Sequence, residues 1–405
     1  MEGNQESENQ DNAPRESDVK LLSSNWDQIV PSFEEMKLKR DLLRGIFGYG
    51  YEKPSAIQSK GILPIIMRKD TIAQAQSGSG KTATFTIAML QNIDTEAIKV
   101  QALILAPTRE LALQINEVVK GIGTYLKVRT HLCTGGTSVS EDRRKIAEGL
   151  QVVVGTPGRV RDLIIRDALD LSCLKMLIVD EADEMLSLGF IGQINSITEK
   201  IPPDCQICLF SATMADDIIK LANDIMNDPA KILVKKEELT LEGIKQYYLA
   251  CSNEKAKFDN LIEIFGNIDI NQCIIYANTK EKVIRIEEEL KQKDFIISCI
   301  HGTLEQEKRN EVMRDFRDGV SRILVSTDLL ARGIDVHQVG LVINYELPSR
   351  KENYIHRIGR SGRFGRRGIA INLISSSEVA YLMDIQAYYQ TQIKQLPQDL
   401  SELEN

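Results

Sequence analysis

Apolar and polar positions follow two spacings along this chain, and from residue 70 onward the two spacings alternate. Short runs of near-continuous apolar and β-branched residues predict strands covered on both faces, as in a parallel sheet. The predicted strands of the first half are TIAQA at 71–75, ALILAP at 102–107, VRTHLC at 128–133, QVVVGTP at 151–157, MLIVDEAD at 176–183 and ICLFSAT at 207–213. Helical patterns separate them, so the sequence predicts an α/β fold with a largely parallel sheet.

The stretch TRELALQINEVVKGI is an example of these predicted helices. Thr108 is a suitable N-cap, because its hydroxyl can accept a hydrogen bond from the first turn. Gly121 or Gly123 is expected to end the helix.

The same alternation restarts after the charged segment KILVKKEELTLEGIK at 231–245. This segment has no helical stripe, and KKEELT within it is interpreted as a linker. The strand-like runs IKQYYLAC, QCIIYANT, FIISCIHG, RILVSTD, GLVINYEL and GIAINLI then alternate with helical patterns, the last near 377–392. The predicted organisation is a disordered N-terminal tail (1–22), a first domain (23–235), a linker (236–245) and a second domain (246–405).

Composition narrows the class of protein. The chain has 405 residues, of which 42% are hydrophobic and 27% charged, as in ordinary soluble domains. No apolar run approaches the roughly 20 residues that span a bilayer. The polar, acidic N-terminus does not resemble a secretory signal, and seven scattered cysteines favour a reducing intracellular compartment. Cys205 and Cys208 form a CxxC without a second pair, which does not predict a metal site.

The net charge of −8 argues against binding nucleic acid through a general basic field. A local site stays possible, because RIGRSGRFGRR at 357–367 contains five arginines in eleven residues. Such a charge run is more often a solvated face. Here glycines interrupt it, which suggests tight backbone geometry as well as exposure.

The string AQSGSGKT at 75–82 fits the phosphate-binding pattern GxxxxGK[ST] except that Ala75 replaces the first glycine. It lies between a predicted strand and a predicted helix, which is the context that this loop requires. Lys81 would contact the β- and γ-phosphates, and Thr82 would offer a hydroxyl to Mg²⁺. The predicted ATP-binding loop comprises Ala75, Gln76, Ser77, Gly78, Ser79, Gly80, Lys81 and Thr82.

The string DEAD at 180–183 follows the apolar run MLIV. Parallel sheets place ligand-binding groups at the carboxyl ends of their strands. Asp180 is therefore predicted to hold the metal ion, and Glu181 to orient and polarise a water. Each string alone could occur by chance, but together they predict hydrolysis of a nucleoside triphosphate. Since the arginine-rich segment lies in the other half, the site is expected to span a cleft that closes on the nucleotide.

Taken together, these strings resemble the DEAD-box ATP-dependent RNA helicases, from about Asn25 to the C-terminus. The resemblance implies two tandem RecA-like domains, ATP and Mg²⁺ as cofactors, and single-stranded RNA as partner. Within the family the chain is most similar to the helicases of translation initiation. That similarity implies a cytoplasmic protein, with the nucleus left open, that is monomeric alone and works with a scaffold such as initiation factor four-G and accessory RNA-binding factors.

The resemblance also assigns residues of the nucleotide site. In GYGYEKPSAIQ at 48–58, Gln58 would bond the adenine edge and Tyr51 would stack on the base, while Phe33 matches an upstream aromatic. Gly333 and Asp335 would hold the ribose. Arg360 and Arg363 would contact the γ-phosphate from one helix-turn face, with Gly362 between them. Four further residues would couple hydrolysis to RNA binding: Asp183, Ser211, Thr213 and His356.

The RNA contacts are implied in both halves, through helix N-termini, glycine amides and added positive charge. In the first half they are Pro107, Thr108, Arg109, Gly135, Gly136, Thr156, Gly158 and Arg159. In the second half they are Asn278, Thr279, Gln306, Arg309 and Thr327.

Two alternatives stay open at this point. The first is an ATP-locked RNA clamp of the exon-junction type, which acts as a binding platform. STDLLARGID and DQIVPSFEEM favour the initiation helicases, whereas Ser361 in HRIGRSGR favours the clamp. The second is a DNA-directed or processive translocase, which the DEAD string disfavours.

Overall fold

The computed structural model describes residues 24–75, 78–233, 244–268, 271–328, 339–361 and 368–400. Within these ranges the chain forms two seven-stranded sheets, and the paired strands in both are parallel. This is the predicted α/β class, with each sheet flanked by helices as in tandem RecA-like domains.

The strands of the first sheet are β1 Thr71–Gln74, β2 Ala102–Leu105, β3 Thr130–Cys133, β4 Val152–Gly155, β5 Met176–Val179, β6 Gln206–Ser211 and β7 Ala230–Leu233. Their order in the sheet is β3-β4-β2-β5-β6-β1-β7. Its helices are α1 Arg40–Gly48, α2 Ala56–Ile66, α3 Lys81–Asn92, α4 Arg109–Ile122, α5 Val139–Ala147, α6 Pro157–Ile165, α7 Ala182–Ser187, α8 Ile191–Thr198 and α9 Asp216–Ile225.

The strands of the second sheet are β8 Ile244–Cys251, β9 Gln272–Tyr276, β10 Ile297–Ile300, β11 Ile323–Ser326, β12 Val339–Asn344, β13 Gly368–Ser375 and β14 Lys394–Gln395. Their order in the sheet is β10-β11-β9-β12-β13-β8-β14. Its helices are α10 Glu254–Asn267, α11 Lys280–Lys291, α12 Gln306–Arg317, α13 Lys351–Ile358 and α14 Val379–Tyr389. Short 3₁₀ turns lie at Thr124–Leu126 and Ser376–Glu378.

Apolar residues on both faces of each sheet explain why the strands lack alternation. In the first domain one face packs with residues such as Phe85 and Phe210, and the other with residues such as Leu103 and Val153. The second domain repeats this arrangement on its own sheet. A strand that is buried on both faces has no polar side, so it appears in the sequence as a continuous apolar run.

Two strands lie outside the predicted set, and both are at sheet edges. β7 pairs with β1, and the two-residue β14 pairs with β8. β7 contains Lys231, and both residues of β14 are exposed and polar, so neither gives a buried-strand pattern. β8 begins at Ile244, so the last two positions of the expected linker lie in a strand. The rest of that segment and the N-terminal tail lie outside the described residues.

The fold brings the chemically important segments to common edges. β1 leads into the phosphate loop and β5 leads into Asp180. Both strands run parallel to β6 and flank it, so their carboxyl ends meet at the same edge of the sheet. Among the helices that the structure describes, none has the length and apolar character needed to cross a membrane.

Candidate functional site

The phosphate loop turns sharply before helix α3. Gly78 and Gly80 have φ of 88° and 102°, which L side chains rarely adopt. A Cβ at Gly80 would also lie 2.6 Å from Nε2 of Gln58, so this position has no room for a side chain. Ala75 is buried at the start of the loop. Gln76 and Ser77 lie outside the described residues.

Lys81, the first residue of α3, forms a buried ion pair with Glu181, with Nζ 3.1 Å from Oε1. Thr82 follows it in the first turn and is partly buried. The structure thus joins the two predicted nucleotide strings through their charged side chains. The lysine and the acid lie on different segments that the sheet brings together.

The acidic residues of the DEAD string are held in an unusual conformation. Glu181 has φ of 50°, in the left-handed region, and its N–H donates to Oδ1 of Asp180 at 3.0 Å. Strained backbone of this kind persists where the surroundings enforce it, and it is concentrated at functional sites. Burial, followed by the neighbouring negative charge of Glu181, raises the pKa of Asp180 well above its ordinary value. Two neighbouring buried carboxylates repel each other when both are ionised, so a nearby positive charge stabilises them.

The predicted adenine-reading segment contacts the phosphate loop directly. The Gln58 side chain accepts from the N–H of Ser55 at 2.8 Å and donates to the carbonyl of Gly80 at 3.4 Å. The Ser55 hydroxyl donates to the carbonyl of Ser79 at 2.8 Å. Gln58 is therefore fixed at the junction of the two segments, although sequence alone gave no reason for this contact.

Phe33, which the resemblance placed with the nucleotide contacts, lies in the hydrophobic core. Its ring is 0% exposed and packs edge-on against Phe47, with centroids 6.4 Å apart. The ring thus packs on helix α1 through Phe47, and its place among the nucleotide contacts stays a prediction. Tyr51, by contrast, is only partly buried.

The coupling residues connect the two domains. Thr213 donates its hydroxyl to Oδ2 of Asp183 at 3.1 Å, and Nε2 of His356 lies 3.4 Å from the same oxygen. The Ser211 hydroxyl accepts from the N–H of Thr213 at 3.4 Å. Potential ligand atoms of Glu181, Asp183 and His356 all lie within 4.8 Å of one another. A histidine of the second domain is thus part of the acidic cluster of the first.

Arg360 lies beyond the helix that was expected to carry it. Helix α13 ends at Ile358 and Gly359 caps it, so Arg360 belongs to the following turn. Arg360 is buried, and its Nε donates to the carbonyl of His356 at 3.1 Å. Arg360 thus lies on the turn after the helix, and the helix-turn face expected for Arg360 and Arg363 stays a prediction. Arg363 lies outside the described residues, as do Gly333 and Asp335.

In the first domain, the predicted RNA contacts lie at two helix N-termini and in the loop of Gly135 and Gly136. Thr108 caps α4 by accepting from the N–H of Leu111, as its position predicts. The Arg109 guanidinium packs on Gly135 and Gly136, where Cβ atoms would lie 3.1 and 2.4 Å from its nitrogens. Pro107 precedes the cap, and Thr156 is the N-cap position of α6, which contains Gly158.

Arg159 faces inward. Its guanidinium donates to the carbonyl of Thr137 at 2.8 Å and to Asp142, and its side chain is only 9% exposed. The other Asp142 oxygen lies 2.9 Å from Nε2 of His131. Arg159 is thus held between Asp142 and Thr137, the residue that follows the Gly135–Gly136 loop, and its contact with RNA stays a prediction.

In the second domain, some of the predicted RNA contacts form hydrogen bonds within the protein. Thr279 caps α11 by accepting from the N–H of Lys282 at 3.2 Å. Asn278 accepts from Arg357 at 2.7 Å, and Thr327 is partly buried at the end of β11. Helix α12 begins at Gln306, whose side chain is outside the described part of the structure.

Arg309 bridges to the first domain. Its Nη1 lies 3.3 Å from Oε1 of Glu110, and its Nε donates to the carbonyl of Leu304 at 3.1 Å. A third contact between the domains joins Arg350 to the hydroxyl of Ser187, in addition to the His356–Asp183 and Arg309–Glu110 contacts. The described halves thus meet through several polar contacts.

Sequence reasoning missed three residues that organise the site: Glu110, Asp142 and Arg357. Arg357 is fully buried and donates to Asn278, to Asp328 and to the carbonyl of Glu346. Its position next to His356 in HRIGR was a usable signal. The partner of Glu110 lies 199 positions away, and those of Asp142 lie 11 and 17 positions away on other elements, so no local pattern indicates these contacts.

Comparisons with known proteins agree with this geometry. The DEAD/DEAH box helicase family matches residues 55–221, and the helicase conserved C-terminal domain matches residues 256–365. The chain is 53% identical to eukaryotic initiation factor 4A of Caenorhabditis elegans, over 95% of each chain. It is also 53% identical to the ATP-dependent RNA helicase eIF4A of Kluyveromyces lactis, over 95% of this chain and 98% of the relative.

Among solved structures, the fold is similar to Dbp5 of S. cerevisiae bound to RNA and ADP BeF3. The TM-score is 0.87 at 38% identity, covering 93% of this chain and 98% of that one. The similarity spans both domains in one superposition. This protein therefore belongs to the DEAD-box family of ATP-dependent RNA helicases, and it is an RNA-dependent ATPase.

Proposed function

We propose that this chain clamps single-stranded RNA along its sugar–phosphate backbone, hydrolyses ATP when its domains close, and locally separates short duplexes. The contact between Asp183 and His356, next to the Lys81–Glu181 pair, carries the proposal. This contact joins the two domains next to the acids assigned to hydrolysis. Domain closure would therefore affect hydrolysis directly, because the same acidic segment takes part in both. A strand bent by the clamp cannot stay in a straight duplex, so clamping one strand separates a few base pairs.

Lys81, Thr82, Asp180 and Glu181 perform the phosphate chemistry in this proposal. Lys81 exchanges its contact with Glu181 for the β- and γ-phosphates, which frees Glu181 to orient the attacking water. The buried Asp180 beside Glu181 fits a divalent cation, since oxygen ligands suit Mg²⁺ and its charge would favour the ionised carboxylates. Bound Mg²⁺ would neutralise charge on the phosphates, with Thr82 and Asp180 holding it, partly through water.

Arg360 and the coupling residues complete the site upon closure. Arg360 supplies positive charge to the γ-phosphate, and its contact with the His356 backbone ties it to the residue that meets Asp183. The same role for Arg363, and ribose binding by Gly333 and Asp335, stay predictions from the resemblance. Gln58 and Tyr51 select the base by hydrogen bonding and stacking.

RNA is bound mainly by backbone amides and helix N-termini on both domains. The glycines at 135 and 136 let the backbone approach phosphates closely, while Arg109 packs on that loop and Arg159 donates to the carbonyl of Thr137 next to it. Contacts of this kind carry little sequence information, so we expect weak sequence preference. Ribose 2′-hydroxyls would favour RNA over DNA.

We place this activity in translation initiation, in the cytoplasm, where it would unwind mRNA leaders. Relatives that are 52–53% identical over nearly the whole chain bear the name eukaryotic initiation factor 4A or eIF4A, which supports this role. A scaffold such as initiation factor four-G would direct the enzyme. Ser361, which suggested the exon-junction clamp, is buried and donates to the carbonyl of Ile358, so it acts in turn packing.

The substitution Glu181→Gln tests the hydrolytic assignment. It should preserve binding of a fluorescent ATP analogue and abolish RNA-stimulated turnover, because the amide cannot accept a proton from water. Glu117→Gln, at an exposed position, is the control and should behave as the parent protein. Unchanged turnover in Glu181→Gln would disprove the assignment.

Strand displacement on a short RNA duplex tests the function as a whole. The parent protein should separate the strands with ATP, and single-stranded RNA should stimulate ATP hydrolysis more than DNA does. A protein that stays locked on RNA with ATP and displaces no strand would be the clamp instead.

A further inference from the structure

A second tyrosine, Tyr49, stacks on Tyr51, the ring that the proposed function assigns to adenine stacking. The rings of Tyr49 and Tyr51 are stacked, with centroids 5.6 Å apart and an interplanar angle of 23°. Tyr51 packs against the core of the first domain, whereas Tyr49 is 43% exposed. Tyr49 therefore contributes less to the core than its size suggests.

The Tyr49 ring packs against a glycine, Gly121, near the end of helix α4. A Cβ at Gly121 would lie 2.4 Å from Cε2 and 2.6 Å from Cδ2 of Tyr49, so even alanine would push the ring away. Glycine inside a helix costs about 1 kcal/mol relative to alanine, and a packing reason is the usual explanation. Here the reason is the close approach of this ring.

Helix α1, which precedes Tyr49, also packs on α4 through a glycine. A Cβ at Gly45 would lie 2.0 Å from the carbonyl oxygen of Ile122, the last residue of α4. Helix α1 ends at Gly48, and Tyr49 follows as its cap. One glycine therefore lets helix α1, which ends just before Tyr49, pack closely on α4, and the other lets the Tyr49 ring do so.

We propose that Tyr49 is a positioning residue for base recognition, which rests on the proposed role of Tyr51. It forms a fixed layer behind Tyr51 and so holds that ring in the orientation that adenine requires. Without this layer, Tyr51 would have to lose rotamer freedom when the base binds. The effect falls on binding of the base, because neither tyrosine belongs to the phosphate chemistry.

The test compares ATP binding and turnover in Tyr49→Ala, Tyr49→Phe and Gly121→Ala. Tyr49→Ala should raise the KM for ATP about 2- to 12-fold, the range expected for one aromatic pair, with kcat nearly unchanged. Tyr49→Phe keeps the ring and should restore the parent KM. Gly121→Ala should reproduce the effect of Tyr49→Ala, since it displaces the ring.

Two controls separate positioning from general structure. Tyr125→Ala removes an aromatic residue that is 38% exposed and packs under Arg44, and it should leave the KM for ATP unchanged. Inhibition by inorganic tripolyphosphate, which has no base, should be equal in the parent and in Tyr49→Ala. Weaker tripolyphosphate inhibition in Tyr49→Ala would show a general structural role and overturn the proposal.

Tyr51→Ala distinguishes the two levels of the argument. If Tyr51→Ala raises the KM for ATP and Tyr49→Ala does not, the positioning role is wrong while adenine stacking stands. If neither substitution changes the KM, stacking on Tyr51 is itself wrong, and the inference that rests on it fails too.

Discussion

Glu110 and Arg309 are 199 positions apart in the chain, yet their side chains meet at 3.3 Å between the two domains. Their side chains are only 11% and 10% exposed, respectively. Glu110 sits in the first turn of the helix that carries Arg109, and Arg309 lies in the first turn of α12. Each residue belongs to a segment assigned to RNA binding, so the pair links those segments across the cleft.

The Glu110–Arg309 pair is expected to favour the closed form. Glu110→Arg should lower RNA-stimulated ATP hydrolysis, because it places two positive charges together when the domains close. The reversed double variant, Glu110→Arg with Arg309→Glu, should recover part of the loss. A double-mutant cycle on the RNA-stimulated rate should give a coupling of about 0.5–3 kcal/mol. Glu117→Gln on the same helix is the control, and a coupling near zero would contradict the prediction.

Arg360 should be needed for turnover but not for folding. Arg360→Ala is expected to reduce kcat by roughly 10³-fold or more, on the general scale of arginine fingers. Binding of RNA without ATP should change little, because Arg360 acts on the γ-phosphate, and the melting temperature of the variant measures any stability lost with this buried side chain. Arg350→Ala, which removes an exposed contact between the domains, is the comparison. A loss below tenfold for Arg360→Ala would mean that another arginine acts on the γ-phosphate.

Asp142 should affect RNA affinity without touching RNA. Asp142→Asn weakens the charged contacts to Arg159, and hydrogen bonds to charged groups are worth roughly 1.5–3 kcal/mol. The Gly135–Gly136 loop then loses its support, so the Kd for single-stranded RNA should rise about tenfold, equally for different sequences. ATP affinity without RNA should be unchanged. The control is Glu141→Gln, at the neighbouring exposed position. An unchanged RNA Kd in Asp142→Asn would argue against support of the Gly135–Gly136 loop by Asp142 and Arg159.

Thiol reactivity tests the packing of the cysteines. All seven are free and six are buried, whereas Cys173 is partly exposed. Burial raises the pKa of the Cys133 and Cys205 thiols to about 12, which leaves little reactive thiolate at neutral pH. A maleimide at pH 7.5 should therefore label one thiol rapidly, and Cys173→Ser should remove that phase. Rapid labelling of two or more thiols in the native protein would contradict the structure.

The strands, the caps and the nucleotide strings could be predicted because their signals are local. Strands such as Val152–Gly155 are buried on both faces and appear as apolar runs, and Thr108 caps its helix with its own hydroxyl. The edge strands β7 and β14 could not be found in this way, since they are short and carry polar residues. The sequence also gave no sign that Phe33 is fully buried, because an aromatic residue has the same local pattern in a core as at a binding site.

The amino-acid sequence by itself determined the alternation of elements, the glycine-dependent turn before Lys81 and the identity of the acids at 180–183. Only the tertiary structure decided that Glu181 pairs with Lys81, that Asp183 meets His356 and that Arg159 faces inward. The reason is physical. Helical spacing, caps and turns depend on neighbours within a few residues, whereas these contacts depend on how two separately packed sheets place distant side chains in one buried volume.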